Sequence, residues 1–227
     1  FYDLENPSQF IADAAEVLDD DGVFIAQLMC LKSMLNKNDL GNICHEHLEY
    51  YSYDSLKYLF EKNGLKIFKM EENDVNGGSY RIFCKKNIAR SIVYNEKTNL
   101  SEIKKFIQRV ELNKKKCLTF LYNAARKRLK VFVYGASTKG NTLLQYYGIN
   151  NKLIQFAAER SIEKWGKYTI GSGVEIISEN EARNLNPDYF FVMPYAFIKE
   201  FIRRERKWLK GGGKFILPYP NFKIINK

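Results

Sequence analysis

The sequence predicts an α/β fold, and three observations carry that prediction. Apolar residues alternate along the chain between helical spacing and short unbroken runs such as Val131-Phe132-Val133. In the carboxyl half, strand-like runs alternate with helical stretches, the order of a parallel sheet. In the amino half, Asn76-Gly77-Gly78 separates two strand-like runs, as the turn of a hairpin does.

Each element follows from local signals. Pro7 suits the first turn of a helix, with Asn6 as its cap. Phe10, Ile11, Ala14, Val17 and Leu18 form one helical stripe, which Asp19-Asp20-Asp21-Gly22 closes. Residues 23–29 read as a buried strand. Residues 31–52 form a long connection with a short helix near 33–36, and connections of this length are usually either functional or wrongly assigned. Ser52 or Asp54 caps a helix that turns Leu56, Leu59 and Phe60 inward and stops at Asn63-Gly64. Residues 65–71 and 79–85 are the hairpin strands. Residues 86–99 are polar and read as a linker. Residues 100–129 form a long helix whose polar middle, 112–117, is expected to face solvent.

A new unit opens at residue 130. Residues 130–134 are a strand, Gly135-Ala136-Ser137-Thr138-Lys139-Gly140-Asn141-Thr142 is a small-residue turn, and 143–147 continue as a helix. Such a turn offers main-chain N–H groups and the positive end of a helix to a phosphate, and Lys139 adds a charge. The alternative is a tight strand–helix turn that needs small residues for packing. The segment is neither a Walker loop nor a full Gly-x-Gly-x-x-Gly. A strand at 154–158, a charged loop at 159–173, a capping box at Ser178-Glu179-Asn180-Glu181, a third strand at 188–193, a helix at 196–209 and a fourth strand at 214–217 complete a Rossmann-like half.

Composition narrows the function. The 227 residues hold 45% hydrophobic side chains, so a full core is available. No apolar run has the length of a membrane span, and no basic-then-apolar leader is read at the start. Cys30, Cys44, Cys84 and Cys117 are widely spaced and are expected to be reduced thiols of a cytoplasmic protein. The net charge of +10 favours an anionic partner, although lysines scattered over solvated helix faces give the same sum. The aromatic residues form no RNA-recognition signature, so neither nucleic acid nor a membrane is expected as a partner. The helix signal begins almost at Phe1, without a start methionine, which suggests that the chain begins inside a larger gene product.

The only two histidines flank a glutamate in Cys44-His45-Glu46-His47. Imidazole is the side chain whose ordinary pKa lies nearest neutrality. An extended segment would point His45 and His47 to one side and Glu46 to the other, whereas a helical turn would fan the three out. Either way, a proton acceptor stands beside an acid able to orient it. The alternative is a polar loop with two solvent histidines. The spacing is not that of His-Glu-x-x-His, no Cys-x-x-Cys stands nearby, and no metal is expected here.

The order of elements in the amino half, helix, strand, loop, helix, strand, strand, is that of the second half of a class I methyltransferase sheet. Taken with Phe1-Tyr2-Asp3-Leu4, Asp21-Gly22-Val23-Phe24, His45-Glu46-His47, Gly77-Gly78-Ser79-Tyr80-Arg81, the Tyr134–Thr142 segment and Gly212-Gly213-Lys214-Phe215-Ile216-Leu217-Pro218, the chain resembles the S-adenosyl-L-methionine-dependent sugar C-methyltransferases. The resemblance runs through nearly the whole chain and is specific as a combination. It implies residues 1–86 as the end of a methyltransferase domain, 87–129 as linker and long helix, and 130–227 as a Rossmann-like domain. It implies a reaction in which a base removes the proton beside the ketone of a nucleotide-linked keto sugar, and the enolate attacks the donor methyl group. It makes His47 the base, with Glu46 and His45 in the same site. It also implies substrate contacts from Ser79, Arg81, Gly135, Ser137, Lys139 and Asn141. The glycine-rich donor motif and the zinc cysteines of the family belong to a preceding region, so this chain alone is expected neither to bind the donor nor to be active. Cys44 stands where sugar-methylating members often carry tyrosine. The competing reading is a non-catalytic nucleotide or nucleotide-sugar binding module.

Overall fold

In the computed structural model, which describes residues 1–226, the chain is α/β and divides into two units. The first comprises Phe1–Asp39 and His45–Phe106; the second comprises Leu40–Cys44 and the chain from Ile107 on.

The first unit opens with α1 (Pro7–Val17), where the Asn6 side chain accepts the Gln9 N–H and Pro7 fills the first turn. β1 (Phe24–Met29) leads through Cys30 into α2 (Leu31–Asn36). α3 (Tyr53–Lys62) starts at Ser52, which forms a capping box with Ser55. β2 (Lys66–Asn73) and β3 (Ser79–Lys85) pair antiparallel, as the turn signal predicts, and β3 also pairs antiparallel with β1, giving the order β1-β3-β2. Every second residue of β3, Tyr80, Ile82 and Cys84, enters a core shared with Ile11, Leu56, Phe60 and Ile67. Gly78 has φ +137°, and a Cβ there would lie 2.3 Å from that of Ser33, so the hairpin can close on α2 only with glycine.

Residues 86–99 are not a free linker; they are strapped to this unit. The Ile67 N–H donates to Ser91 Oγ and the Ile92 N–H to the Ile67 carbonyl. Glu96 accepts from the Tyr53 N–H at the start of α3 and from the Tyr80 hydroxyl. The segment's polarity is real, but its one carboxylate, Glu96, and the hydroxyls of Ser91 and Tyr94 are spent on pairing inside the unit.

α4 (Leu100–Arg126) clusters with the first unit as far as Phe106 and with the second beyond it. Its middle does not simply face solvent. Cys117 is fully buried, and Asn113 donates to the Pro220 carbonyl while accepting the Phe222 N–H. The second unit then alternates β4 (Val131–Tyr134), α5 (Thr138–Tyr147), β5 (Phe156–Glu159), β6 (Glu175–Ser178), α6 (Glu179–Asn184), β7 (Tyr189–Val192), α7 (Ile198–Arg204), α8 (Arg206–Lys210), β8 (Lys214–Leu217) and β9 (Lys223–Ile225). The sheet order is β6-β5-β4-β7-β8-β9, parallel except for β9 against β8. Counted from β4, that is 3-2-1-4-5-6, the doubly wound Rossmann order, with its last strand reversed.

Three details differ from expectation. β6 and β9 are additional strands, each too short to stand out from its neighbours in sequence. The helix expected at 196–209 is broken into α7 and α8 at Glu205, whose side chain is buried and held by Tyr134 and Arg183. The small-residue stretch 135–142 is only in part a turn, because α5 already begins at Thr138. Among the described residues, no helix is long and apolar enough to cross a membrane.

Candidate functional site

The histidine segment belongs to the first unit. His45 and Glu46 form an exposed turn, and the chain then runs on without regular structure to Ser52. It is thus neither extended throughout nor helical, and the two histidines are inequivalent. His45 is exposed. His47 is half-buried, its ring tilted against that of Tyr2 with centroids 4.5 Å apart. The next residue fixes the backbone there, since the Leu48 N–H donates to the Tyr2 carbonyl at 2.8 Å. The Nδ1 of His47 is buried without a hydrogen-bond partner. A buried polar nitrogen left unpaired is costly and rare, and a catalytic role is one of the explanations it calls for. Farther on, the Tyr51 hydroxyl pairs with Glu49, and the Tyr51 carbonyl receives the Leu31 N–H.

The two residues of β3 in the expected substrate set make their polar contacts elsewhere. Ser79 is buried, and its hydroxyl donates to the Val75 carbonyl, closing the hairpin. Arg81 is exposed and reaches across the sheet to Gln27 on β1, with Glu71 of β2 at 3.6 Å. Sequence reading missed the tyrosine–carboxylate cluster beside them. Lys32, Tyr94 and Glu72 bond mutually. The hydrogen bond that Lys32 donates to Glu72 raises the Lys32 ammonium well above its usual range. Burial disfavours the Glu72 charge, yet the Lys32 and Tyr94 hydrogen bonds still hold its carboxyl below the ordinary value.

In the second unit the structure does bring the expected residues together, at the carboxyl end of β4. Gly135 takes φ +86°, and a Cβ on it would lie 2.9 Å from the Pro194 ring that follows β7. Ser137 caps α5, its hydroxyl accepting the Gly140 N–H at 3.1 Å. Lys139 and Asn141 stand in the first turn of that helix. At Gly140 a Cβ would lie 2.9 Å from that of Met193, so helix and sheet approach as closely as only glycine allows. The pattern Gly135-x-Ser137-x-x-Gly140 therefore keeps the first and third glycines of the dinucleotide fingerprint and replaces the second with a capping serine. β4 and β7 diverge here in chain order, which makes this the topological switch point of the sheet.

Glu159, the last residue of β5, was not anticipated. It occupies the place where an acid reads a ribose in dinucleotide sites. Here its carboxylate accepts the main-chain N–H groups of Ala136, Arg160 and Ser161, and Lys164 lies 3.7 Å away. The acid is thus committed to holding the turn after β4. Its signal in the sequence was its position, an acid ending the second strand after a glycine turn.

Comparison with known proteins places this arrangement. A family described as the C-methyltransferase C-terminal domain matches residues 74–220. The chain belongs to that family. The motif-based resemblance to C-methyltransferases is therefore correct at the level of the family. The C-methyltransferase NovU of Streptomyces niveus is 28% identical over 238 aligned residues, which take in 100% of this chain and 57% of that protein. The chain thus spans a little over half the length of the curated relative. Among its described residues no group of three or more His, Cys, Asp or Glu is placed to hold a metal ion.

Proposed function

We propose that the chain is the carboxyl-terminal part of an S-adenosyl-L-methionine-dependent C-methyltransferase acting on a nucleotide-linked keto sugar, with His47 as the base. The observation that carries the assignment of the base is the buried, unpartnered Nδ1 of His47, set against the exposure of His45. A neutral imidazole can take the proton from a carbon acidified by its neighbouring ketone near pH 7. Glu46, adjacent in the turn, supplies a negative charge that favours the imidazolium formed. The family implies S-adenosyl-L-methionine, which supplies an electrophilic methyl group. In the first unit β1 runs through Cys30 straight into α2, without a glycine turn, so no residue here is assigned to hold the donor. Zinc is assigned to a region of the family outside these residues. Ser137, Lys139 and the first turn of α5 receive the diphosphate. Cys30, Cys44, Cys84 and Cys117 are free thiols, and the setting proposed with this function is cytoplasmic.

In the full-length protein, His47→Ala is expected to lower methyl transfer about a hundred- to ten-thousandfold while leaving substrate binding intact. His45→Ala should lose far less. The proton-abstraction step can be followed alone, as deuterium uptake at the sugar carbon without the methyl donor. Wild-type exchange in His47→Ala would remove His47 from the role.

A second reading has its own observation. The switch point with Gly135-x-Ser137-x-x-Gly140 is complete in the second unit by itself and suits a nucleotide-binding module without catalysis. Calorimetric titration with a nucleoside diphosphate separates the two. Binding that weakens in Lys139→Ala, in a full-length protein without exchange activity, favours the module.

A further inference from the structure

Within the second unit, α5 is seated by close steric contacts. Gly140 lets it approach Met193. The buried 3-10 turn Leu40–Asn42 packs on it as well, and a Cβ on Gly41 would lie 2.8 Å from Lys139 Cβ. The turn that leads into the helix is held differently, by side chains of the loop after β5. Gly135 still belongs to the sheet, its N–H donating to the Ala158 carbonyl at 2.8 Å. Ser137 already belongs to the helix, its carbonyl accepting the Asn141 N–H at 3.0 Å. Ala136 lies between them, and both of its main-chain groups are taken by side chains.

The Ala136 N–H donates to Glu159 Oε2 at 2.8 Å, and the Ala136 carbonyl accepts from Lys164 Nζ at 2.9 Å. Lys164 ends the short 3-10 turn Ile162–Lys164, and its ammonium lies 3.7 Å from the same carboxylate. Glu159 is itself fixed. Its Oε1 accepts the Arg160 and Ser161 N–H groups at 2.8 and 3.1 Å, and its carbonyl accepts from the Trp165 indole at 2.9 Å. An ionised carboxylate offers about four lone-pair sites. Here three main-chain N–H groups are satisfied by one side chain, and an ammonium stands beside it.

Ser137 and Lys139, which receive the diphosphate in the function proposed above, follow Ala136 directly in the chain. We propose that Glu159 is a positioning residue for that phosphate seat. Its carboxylate, together with Lys164, fixes the peptide groups on both sides of Ala136 and so the place where α5 begins. This rests on the reading of Ser137, Lys139 and the first turn of α5 as the seat. The charge of Glu159 acts in the opposite sense. A carboxylate that merely sat near the seat would repel an anion and weaken its binding. A carboxylate that positions the turn strengthens binding, because a loose turn has to be ordered when the ligand arrives. The two roles predict opposite signs for the same substitution.

Two variants separate the roles. Glu159→Gln removes the charge and keeps the shape, but its NH2 group must face either the Ala136 N–H or the Arg160 and Ser161 N–H groups, donor against donor. Glu159→Asp keeps the charge and withdraws the carboxylate by one methylene. The probe is inorganic pyrophosphate, titrated into the full-length protein with isotope-labelled glycine and alanine amides. In the NMR spectrum Gly140 reports on the seat and Ala136 on the bond to Glu159. Pyrophosphate should move the Gly140 line of the parental protein, and both variants should bind it about three- to tenfold more weakly. Before any ligand is added, the Ala136 proton line should move upfield in both, since its bond to a carboxylate is lost or stretched. A purely structural acid would lower the unfolding temperature and leave pyrophosphate affinity below that temperature unchanged. Unchanged or tighter binding in Glu159→Gln would overturn the proposal, and so would unchanged binding in Glu159→Asp, which serves if the first variant does not fold. A parental Gly140 line that ignores pyrophosphate would overturn the reading of the seat, and the role of Glu159 along with it.

Discussion

Glu205 is a buried acid of the second unit that is held charged by its partners. Its carboxylate accepts from the Tyr134 hydroxyl and from the Arg183 guanidinium, with its side chain 1% exposed. Burial alone would raise its pKa, but the Arg183 and Tyr134 hydrogen bonds hold it below the ordinary carboxylate value. A group depressed in the folded state binds its proton first in the unfolded chain. Its stabilisation is therefore complete above the unfolded value of about 4.3 and is lost as pH falls through the folded value. Urea unfolding followed by Trp208 fluorescence should be flat in this contribution near neutrality and weaken below about pH 4. Glu205→Gln should cost about 3 kcal/mol near pH 7 and flatten the acid slope. An unchanged slope in that variant would assign the acid sensitivity to other carboxylates. None of this was legible in the sequence, because Tyr134 is 71 positions from Glu205 and Asn113 is 107 from Pro220. The histidine triplet and Lys139 were legible for the opposite reason: they are chemically distinctive within a few residues. The inequivalence of the histidines was not, since it depends on Tyr2.

At the scale of elements, the sequence signals worked where they were local. Ser52 and Ser178 cap the helices that follow them, and the Asn76-Gly77-Gly78 turn makes its hairpin. They failed where an element depends on its neighbours, as with the four residues of β6 and the three of β9. α5 shows the difference through its two glycines. Gly148 ends it at φ +72° with nothing within 4 Å of a notional Cβ, so its role is conformational. Gly140 lies within the helix against Met193, so its role is steric. Gly148→Ala should cost about 1 kcal/mol through left-handed strain. Gly140→Ala gains about 1 kcal/mol of helix propensity but overpacks the helix–sheet contact by about 1–3 kcal/mol, and a net loss is expected. Urea midpoints of the two variants measure both. A stabilised Gly140→Ala would mean that α5 shifts freely on the sheet.

At the scale of the whole molecule, the second unit is discontinuous in sequence. A fragment beginning at Ile107 lacks the buried turn of residues 40–42 and leaves the flank of α5 uncovered. Such a fragment should unfold at a lower temperature than the second unit does within the chain, and a peptide of residues 38–46 added in trans should raise that temperature. Equal unfolding temperatures with and without the peptide would show the turn to be dispensable for stability. This was not legible beforehand, since residues 40–44 carry no composition boundary. The same discontinuity bears on inheritance. Recombination exchanges genes at single breakpoints, and no single breakpoint in this one separates the two units without leaving five codons of the second behind. A second unit exchanged by one crossover would arrive with α5 facing a foreign turn. New specificities in this family should then arise more readily by point substitution within each unit than by shuffling of halves, a pattern that comparison of breakpoints with residues 40–44 can reveal.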